Sequence, residues 1–495
     1  MAQMKTVEKK KSSIIPMIHS VIGVAIMLLF HLLPITLPNV TPTGMEVLGI
    51  FIGTLYLWTT VDPTWSSVLC IFAIGISSYA PMPKVLSDAF GTPVVVQMLF
   101  MMVFTGALVE EKITLYIGRW FLTRKVMEGR PWVFTFVITL GCCIMSFVMA
   151  APFAPIFLFW PIMYGVFQQL GISRDDKYAK LMVILVVFGA LLGFPIPPYA
   201  SNGLALLTNY RNIAANAGSN VAINDAMYLI CNLLLAVIVL AVTILFCKFV
   251  FRPDVSKLKA LKIADLDKNP LPPMTLRQKI LAISFCVYVL CMLLPGWVPN
   301  LPGMAFLSAN SLGLALVFVA VLSAIHIQNE PVLKFNRVMT TQIAWPSFFI
   351  IVAAILIGSV LTAENTGISA FLNSVLSPIF SGMNTVVFII VMMVLLMVLT
   401  NLCNSLVIGM IMQPVILNFC MNNGINAAPI VTLSIFFVLS CAMVTPAASP
   451  FAAMLFGNKE WLDAKDVYKY CGIIVLLELA LVLVIGIPLT NIFMG

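Results

Sequence analysis

Two apolar stretches in opposite halves of the chain are built alike. Ser146 to Pro161 and Thr400 to Pro414 are each broken by small polar residues and end in proline. A long apolar span with a proline cluster follows each. The first cluster reads Gly193-Phe194-Pro195-Ile196-Pro197-Pro198, and the second reads Thr445-Pro446-Ala447-Ala448-Ser449-Pro450. Hydrocarbon offers no water to free amides and carbonyls. An interrupted helix is therefore tolerated at membrane depth only where protein or a wet cavity surrounds it. Paired interruptions in two halves of a hydrophobic chain point to the binding site of a secondary carrier.

Composition agrees with a bilayer setting. Hydrophobic residues make up 61% and charged residues 9% of the chain, against roughly 25% charged in soluble domains. The chain therefore reads as an all-α polytopic membrane protein. Its net charge of +8 is distributed as a membrane dictates and implies no nucleic-acid partner. The eleven cysteines, among them Cys142, Cys143, Cys231, Cys403 and Cys441, sit in apolar spans without metal-ligand spacing. They read as small buried hydrophobes. Lys5 to Lys11 precede an apolar run longer than a signal-peptide core, so the first helix is expected to be retained.

Hydropathy predicts eleven full spans, at 14–36, 44–61, 63–79, 93–111, 179–207, 226–250, 279–296, 304–325, 344–363, 428–456 and 471–493. Segments 132–168 and 386–420 have central breaks and read as re-entrant hairpins. Lys and Arg support this count. With the N-terminus in the cytoplasm, all of the 27 except Lys84 and Arg211 fall on the cytoplasmic side. Treating either hairpin as a full span scrambles that pattern. Five spans and a hairpin make a repeat, and an odd number of spans inverts its copy. The expected organisation is a tail and first helix over 1–43, repeat one over 44–250, a cytoplasmic linker over 251–278 and an inverted repeat two over 279–495. The broken helices are 179–207 and 428–456, the N-terminus is inside and the C-terminus outside.

Three segments then carry a resemblance. Ser440 to Gly457 resembles the broken tenth helix of the divalent anion/sodium symporters, within the wider ion transporter superfamily. Trp461 to Tyr470 is similar to the lead into that family's last span, and Trp345 to Gly367 to its Trp-opened ninth span. The resemblance extends from about Gly44 to the C-terminus. It implies an elevator-type carrier, usually a homodimer, moving di- or tricarboxylates, often with sodium. It also implies Ser-Asn-Thr at each hairpin tip, contacting substrate carboxylate and forming sodium sites. This chain departs there. Hairpin two has Asn404, Ser405 and Leu406, hairpin one has Ala151, Pro152 and Phe153, and Ala452 replaces an Asn of the tenth helix.

Half-helix N-termini at the breaks favour anions, and no Lys or Arg lies at mid-membrane depth. Binding thus falls to neutral donors. The candidates are Thr400, Asn401, Asn404, Ser405, Ser201, Asn202, Thr445 and Ser449, walled by Pro152, Phe153, Pro197 and Pro198. Asn404, Ser405 and Ala448 are the candidates for a cation. Isolated Ser and Thr in such helices more often bond back to their own backbone. Glu478 is the clearest acid inside a span. It is assigned to helix packing as a protonated acid away from the breaks, with proton carriage as the alternative. Asp62 reads as a helix cap or a turn residue, His19 and His31 as packing residues and His326 as interfacial.

The function expected is secondary active transport of small organic anions, di- or tricarboxylates, by elevator-type alternating access in the plasma or inner membrane, with a sodium-independent exchanger, a proton-coupled carrier or a uniporter as the forms that the altered hairpin-one tip leaves open. A sodium-coupled dicarboxylate symporter, or a carrier of monocarboxylate or inorganic oxyanion, stays open. No cofactor is expected, and Na+ or H+ would be the coupling ion. A membrane enzyme would need paired acids or a His/Asp set, which the three histidines do not form. A channel is disfavoured by the paired breaks.

Overall fold

The computed structural model describes residues 14–149, 152–199, 201–219, 221–260, 272–298, 300–343, 345–368, 370–371, 374–375 and 382–495. The described chain is almost wholly helical. Its only sheet, among those residues, is a two-residue hairpin of β1 (His326–Ile327) and β2 (Glu330–Pro331). Gln328 and Asn329, at φ 53° and 64°, make the tight turn between them.

Seven helical stretches among the described residues are long and apolar enough to cross a membrane. Several helices start at a capped proline, whose missing N–H costs nothing in the first turn. Thr41 caps Pro42 by accepting from the Gly44 amide. Asp62 caps Pro63 by accepting from the amides of Thr64 and Trp65, at 2.8 and 3.1 Å. The cap expected of Asp62 is thus present.

The chain forms two compact units. The first comprises Met1–Ala89 and Trp345–Ser374. It holds α1 (Ile14–Leu29), α2 (Pro42–Thr60), α3 (Pro63–Ile76) and most of α4 (Met82–Phe90). Here α1 packs along α2, and α3 along Trp345–Thr362. His19 bonds Tyr56 at 2.6 Å, a packing role as expected. Thr41 joins the start of α2 to the end of the distant segment, donating its amide to Thr366 O at 3.0 Å and its hydroxyl to Asn365 O at 2.7 Å.

The second unit comprises Phe90–Ala344 and Val375–Gly495. In chain order it holds α5 (Pro93–Glu110), α6 (Ile113–Leu122), α7 (Pro131–Met149), α8 (Phe153–Gln169), α9 (Lys177–Gly193), α10 (Ser201–Asn216) and α11 (Asp225–Phe246). Then come α12 (Leu276–Trp297), α13 (Met304–Ala309), α14 (Leu314–Ala324) and α15 (Phe335–Thr341). With Trp345–Thr362 counted as α16, the unit resumes with α17 (Thr385–Leu402), α18 (Ser405–Asn422), α19 (Ala428–Ser440), α20 (Pro450–Gly457), α21 (Ala464–Leu481) and α22 (Ile487–Met494).

The first halves of the two broken helices form the centre of this unit. Residues 181–193 of α9, with Tyr178 and Ala179, and every residue of α19 are buried, and the two helices pack on each other. A helix apolar on all sides and enclosed on all sides belongs to an interior. Polar groups close the ends of the unit. Arg277 pairs with Glu330 at 2.8 Å and Glu111 at 3.7 Å, and Lys334 pairs with Glu330 at 2.6 Å. Glu110 takes Arg337 and accepts from the Gln342 amide at 2.8 Å. Lys180 of α9 meets Asp466 of α21 at 2.8 Å.

Two differences from the sequence expectation stand out. The short helices α4, α6 and α15 lie outside the predicted spans, because their polar faces dilute the hydropathy signal. The second half of the first broken helix also runs to Asn216 rather than 207. The extra turns carry Thr208, Asn209, Arg211 and Asn212, which end a hydropathy window. The fold accommodates them. Asn209 donates to Gln413 Oε1 at 2.8 Å, and Gln413 donates to Leu206 O at 2.9 Å.

Candidate functional site

Four interruptions define the candidate site, two hairpin turns and two helix breaks. The first break is set by a close helix contact. A Cβ on Gly193 would lie 2.0 Å from Cys143 O, and one on Gly189 2.5 Å from Thr139 O. Only glycine lets α9 lie this close to α7, the small-xxx-small device of membrane interfaces. The three prolines that follow donate no amide, so the helix stops. Neighbouring side chains serve the exposed carbonyls. Tyr228 of α11 donates to Pro195 O at 2.9 Å, and Gln97 of α5 donates to Tyr199 O at 3.4 Å. Pro197 and Pro198 are buried here. Ser201 opens α10, and its neighbour Asn202 is half-buried.

The second break lies between Ser440 and Pro450, and hairpin two holds it together. Asn401, in the last turn of α17, donates to Cys441 O at 3.2 Å and to Met397 O at 2.8 Å. Its side-chain oxygen accepts from the Val444 amide at 2.9 Å, and its backbone carbonyl accepts from the Thr445 hydroxyl. Ser449 donates to Ala442 O at 2.6 Å and caps α20 by accepting from the Ala452 amide at 3.1 Å. The turn of hairpin two is only Cys403 and Asn404. Asn404 caps α18 by accepting from the Leu406 amide at 3.0 Å, and Ser405 donates its amide to Ala448 O at 3.4 Å.

The arms of hairpin one are α7, which ends at Met149, and α8, which begins at Phe153. Ala151 lies outside the described residues. Pro152 is buried and caps α8 without any side-chain hydrogen bond. The Phe153 ring lies 4.6 Å from that of Phe451, and Phe194 of the first break lies 5.7 Å from the same ring. Phe451 is thus shared by the hairpin-one tip, the first break and the start of α20. Side chains of hairpin two hold the other side of the second break. The structure therefore brings the four interruptions into one neighbourhood.

The candidate polar groups divide by what they already bond. Asn401, Thr445 and Ser449 are engaged with the second break, and Asn404 with its own helix start. The Thr400 hydroxyl is buried with no hydrogen-bond partner among the described residues. The Ser146 hydroxyl on α7 is in the same condition. Ser146 was not among the candidates. It opens the first apolar stretch as Thr400 opens the second, and that correspondence was the signal for it. No Lys, Arg, Asp or Glu occurs within 149–153, 193–201, 400–405 or 441–450.

One placement corrects the sequence expectation. Glu478 was assigned away from the breaks, but it is fully buried against the second one. Its Oε1 shares a hydrogen bond with the hydroxyl of Ser440, the last residue of α19. Linear position hid this, because Ser440 and Glu478 are 38 residues apart in the chain.

None of the curated proteins compared with the chain matches it. The transmembrane region of the sodium:sulfate symporters matches residues 16–494. With that match over nearly its whole length, the chain belongs to the sodium:sulfate symporter family, the divalent anion/sodium symporters whose motifs it carries.

Proposed function

We propose that this secondary anion transporter moves small organic anions, di- or tricarboxylates, by elevator-type alternating access as a sodium-independent exchanger. The observation that carries the reading is the meeting of both hairpins and both breaks around Phe451, Ala448 and Asn401, with no charged side chain in any of them. An anion there is held by helix N-termini and neutral donors. Such binding is weak enough to reverse on the other side. The start of α8, which no side chain caps, offers the amides of Phe153 and Ala154. Thr400, Ser405, Ser201 and Asn202 contribute polar groups, with Asn404 at the turn, while Asn401, Thr445 and Ser449 hold the break in shape. Pro152, Phe153, Pro197 and Pro198 form apolar walls.

Sodium independence rests on the oxygens. The hairpin-one tip supplies none from side chains at 151–153. On the hairpin-two side, the Asn404 side-chain oxygen and the Ala448 carbonyl already accept amides. A sodium ion there would draw on the second lone pairs of these two oxygens and on the Ser405 and Thr400 hydroxyls, fewer ligands than its hydration shell. The proposed architecture is two inverted repeats, 44–250 and 279–495, each of five spans and a re-entrant hairpin. With the extra first helix this gives eleven spans, the N-terminus inside and a homodimer in the plasma or inner membrane. The Lys and Arg distribution supports this orientation.

Uptake of labelled succinate, malate and sulfate into proteoliposomes tests the reading. Exchange that requires internal dicarboxylate and ignores sodium is the expected result. Uptake driven by a sodium gradient into empty vesicles, or uptake of sulfate alone, overturns it.

A further inference from the structure

We infer that Glu478 is a proton-binding site that controls the second break, so that transport depends on pH through this one carboxyl. The inference rests on the carrier reading above and deepens it by naming the group that regulates it. Glu478 is fully buried, and its Oε2 has no hydrogen-bond partner among the described residues. An unpaired carboxylate in such a place is costly, and the group takes up a proton instead.

The hydrogen-bond geometry has the same implication. Ser440 Oγ lies 2.8 Å from Phe436 O, one turn back along α19, and also meets Glu478 Oε1. A hydroxyl has a single hydrogen. With Glu478 protonated, the carboxyl donates to Ser440 and Ser440 donates to Phe436 O. With Glu478 ionised, Ser440 must turn its hydrogen to the carboxylate and release that carbonyl. Back-bonding of this kind bends a helix. Here it acts on the final turn of α19, immediately before the break. The next residue, Cys441, offers its carbonyl to Asn401 of hairpin two. Protonation at Glu478 therefore bears on the segment that hairpin two grips.

No neighbour supplies a compensating charge. From α9, Lys177 donates to Phe251 O and Lys180 to Asp466, with Tyr178 beside them. Asp466 is about 18 Å away along α21 at ~1.5 Å per residue. From α11 come Asp225, paired with Arg211, then Tyr228, which donates to Pro195 O, and Cys231. The faces of α17, α20 and the Val482–Gly486 turn hold no titratable group. Just past α19 the Cys441 thiol is in electrostatic reach. The remaining groups on α21 itself, Lys465, Tyr468, Lys469, Tyr470 and Cys471, lie toward its start.

The test uses the full-length protein in lipid nanodiscs and in proteoliposomes. Infrared difference spectra across a pH titration should show one protonated-carboxyl band that is absent from Glu478→Gln. The band should move to the position of a free acid in Ser440→Ala. Wild-type exchange should fall with rising pH, about tenfold per unit on its limiting limb, while Glu478→Gln exchanges with a flat profile. A missing carboxyl band, or a Glu478→Gln profile that follows the wild type, overturns the inference. If the wild type moves no organic anion, the carrier reading fails by itself, and the spectra still decide whether Glu478 holds a proton.

Discussion

Replacing Asn401 with alanine separates two roles for this residue, brace and ligand. In the structure its amide donates to Cys441 O at 3.2 Å and accepts from the Val444 amide at 2.9 Å. Alanine leaves both backbone groups without that partner. A stranded buried group costs about 1–3 kcal/mol. Cys441 is fully buried and Val444 only half-buried, so the second penalty is partly relieved by solvent. The expected loss is about 2–4 kcal/mol. Thermal unfolding in detergent should show a clear drop in midpoint, and transport should lose turnover more than apparent affinity. The reasoning is refuted if Asn401→Ala melts like the wild type and only its KM rises. The amide would then serve the substrate rather than the break.

Two further outcomes follow from packing and charge. Gly193→Ala places a methyl 2.0 Å from Cys143 O. This is overpacking against backbone, and it should cost about 1–3 kcal/mol, read as a lowered unfolding midpoint. Gly165→Ala, where a Cβ meets nothing within 4 Å, is the control expected to melt near the wild type. Glu330 accepts from Lys334 and Arg277, and these two hold its carboxyl below the ordinary 4.5. A lowered folded value means that the contribution is full above 4.5 and fades as pH falls through the folded value. The melting difference between the wild type and Glu330→Gln should therefore be present near neutral pH and vanish in acid.

The sequence by itself determined the class and the places of interruption. A chain this apolar cannot leave its backbone unpaired in lipid, so it becomes helix. Proline clusters and short polar turns then have to mark where helix fails. The boundaries of the hairpin arms and of α19 and α20 follow from that rule almost residue by residue. Local chemistry also explains Asp62 as a cap. What hydropathy could not carry were elements whose polar residues are satisfied at a distance. The last turns of α10, where Asn209 meets Gln413, are one case, and the short amphipathic helices are another. Only the tertiary structure decided which candidate polar groups are already bonded. Asn401 and Thr445 look like ligands in a linear reading, yet they hold the second break. Thr400 and Ser146 keep hydroxyls that no described residue engages. Only the structure, too, set Glu478 against Ser440. Such neighbours lie tens of residues apart in the chain, and no local pattern records them. They exist because the enclosed halves of the broken helices draw other helices around them.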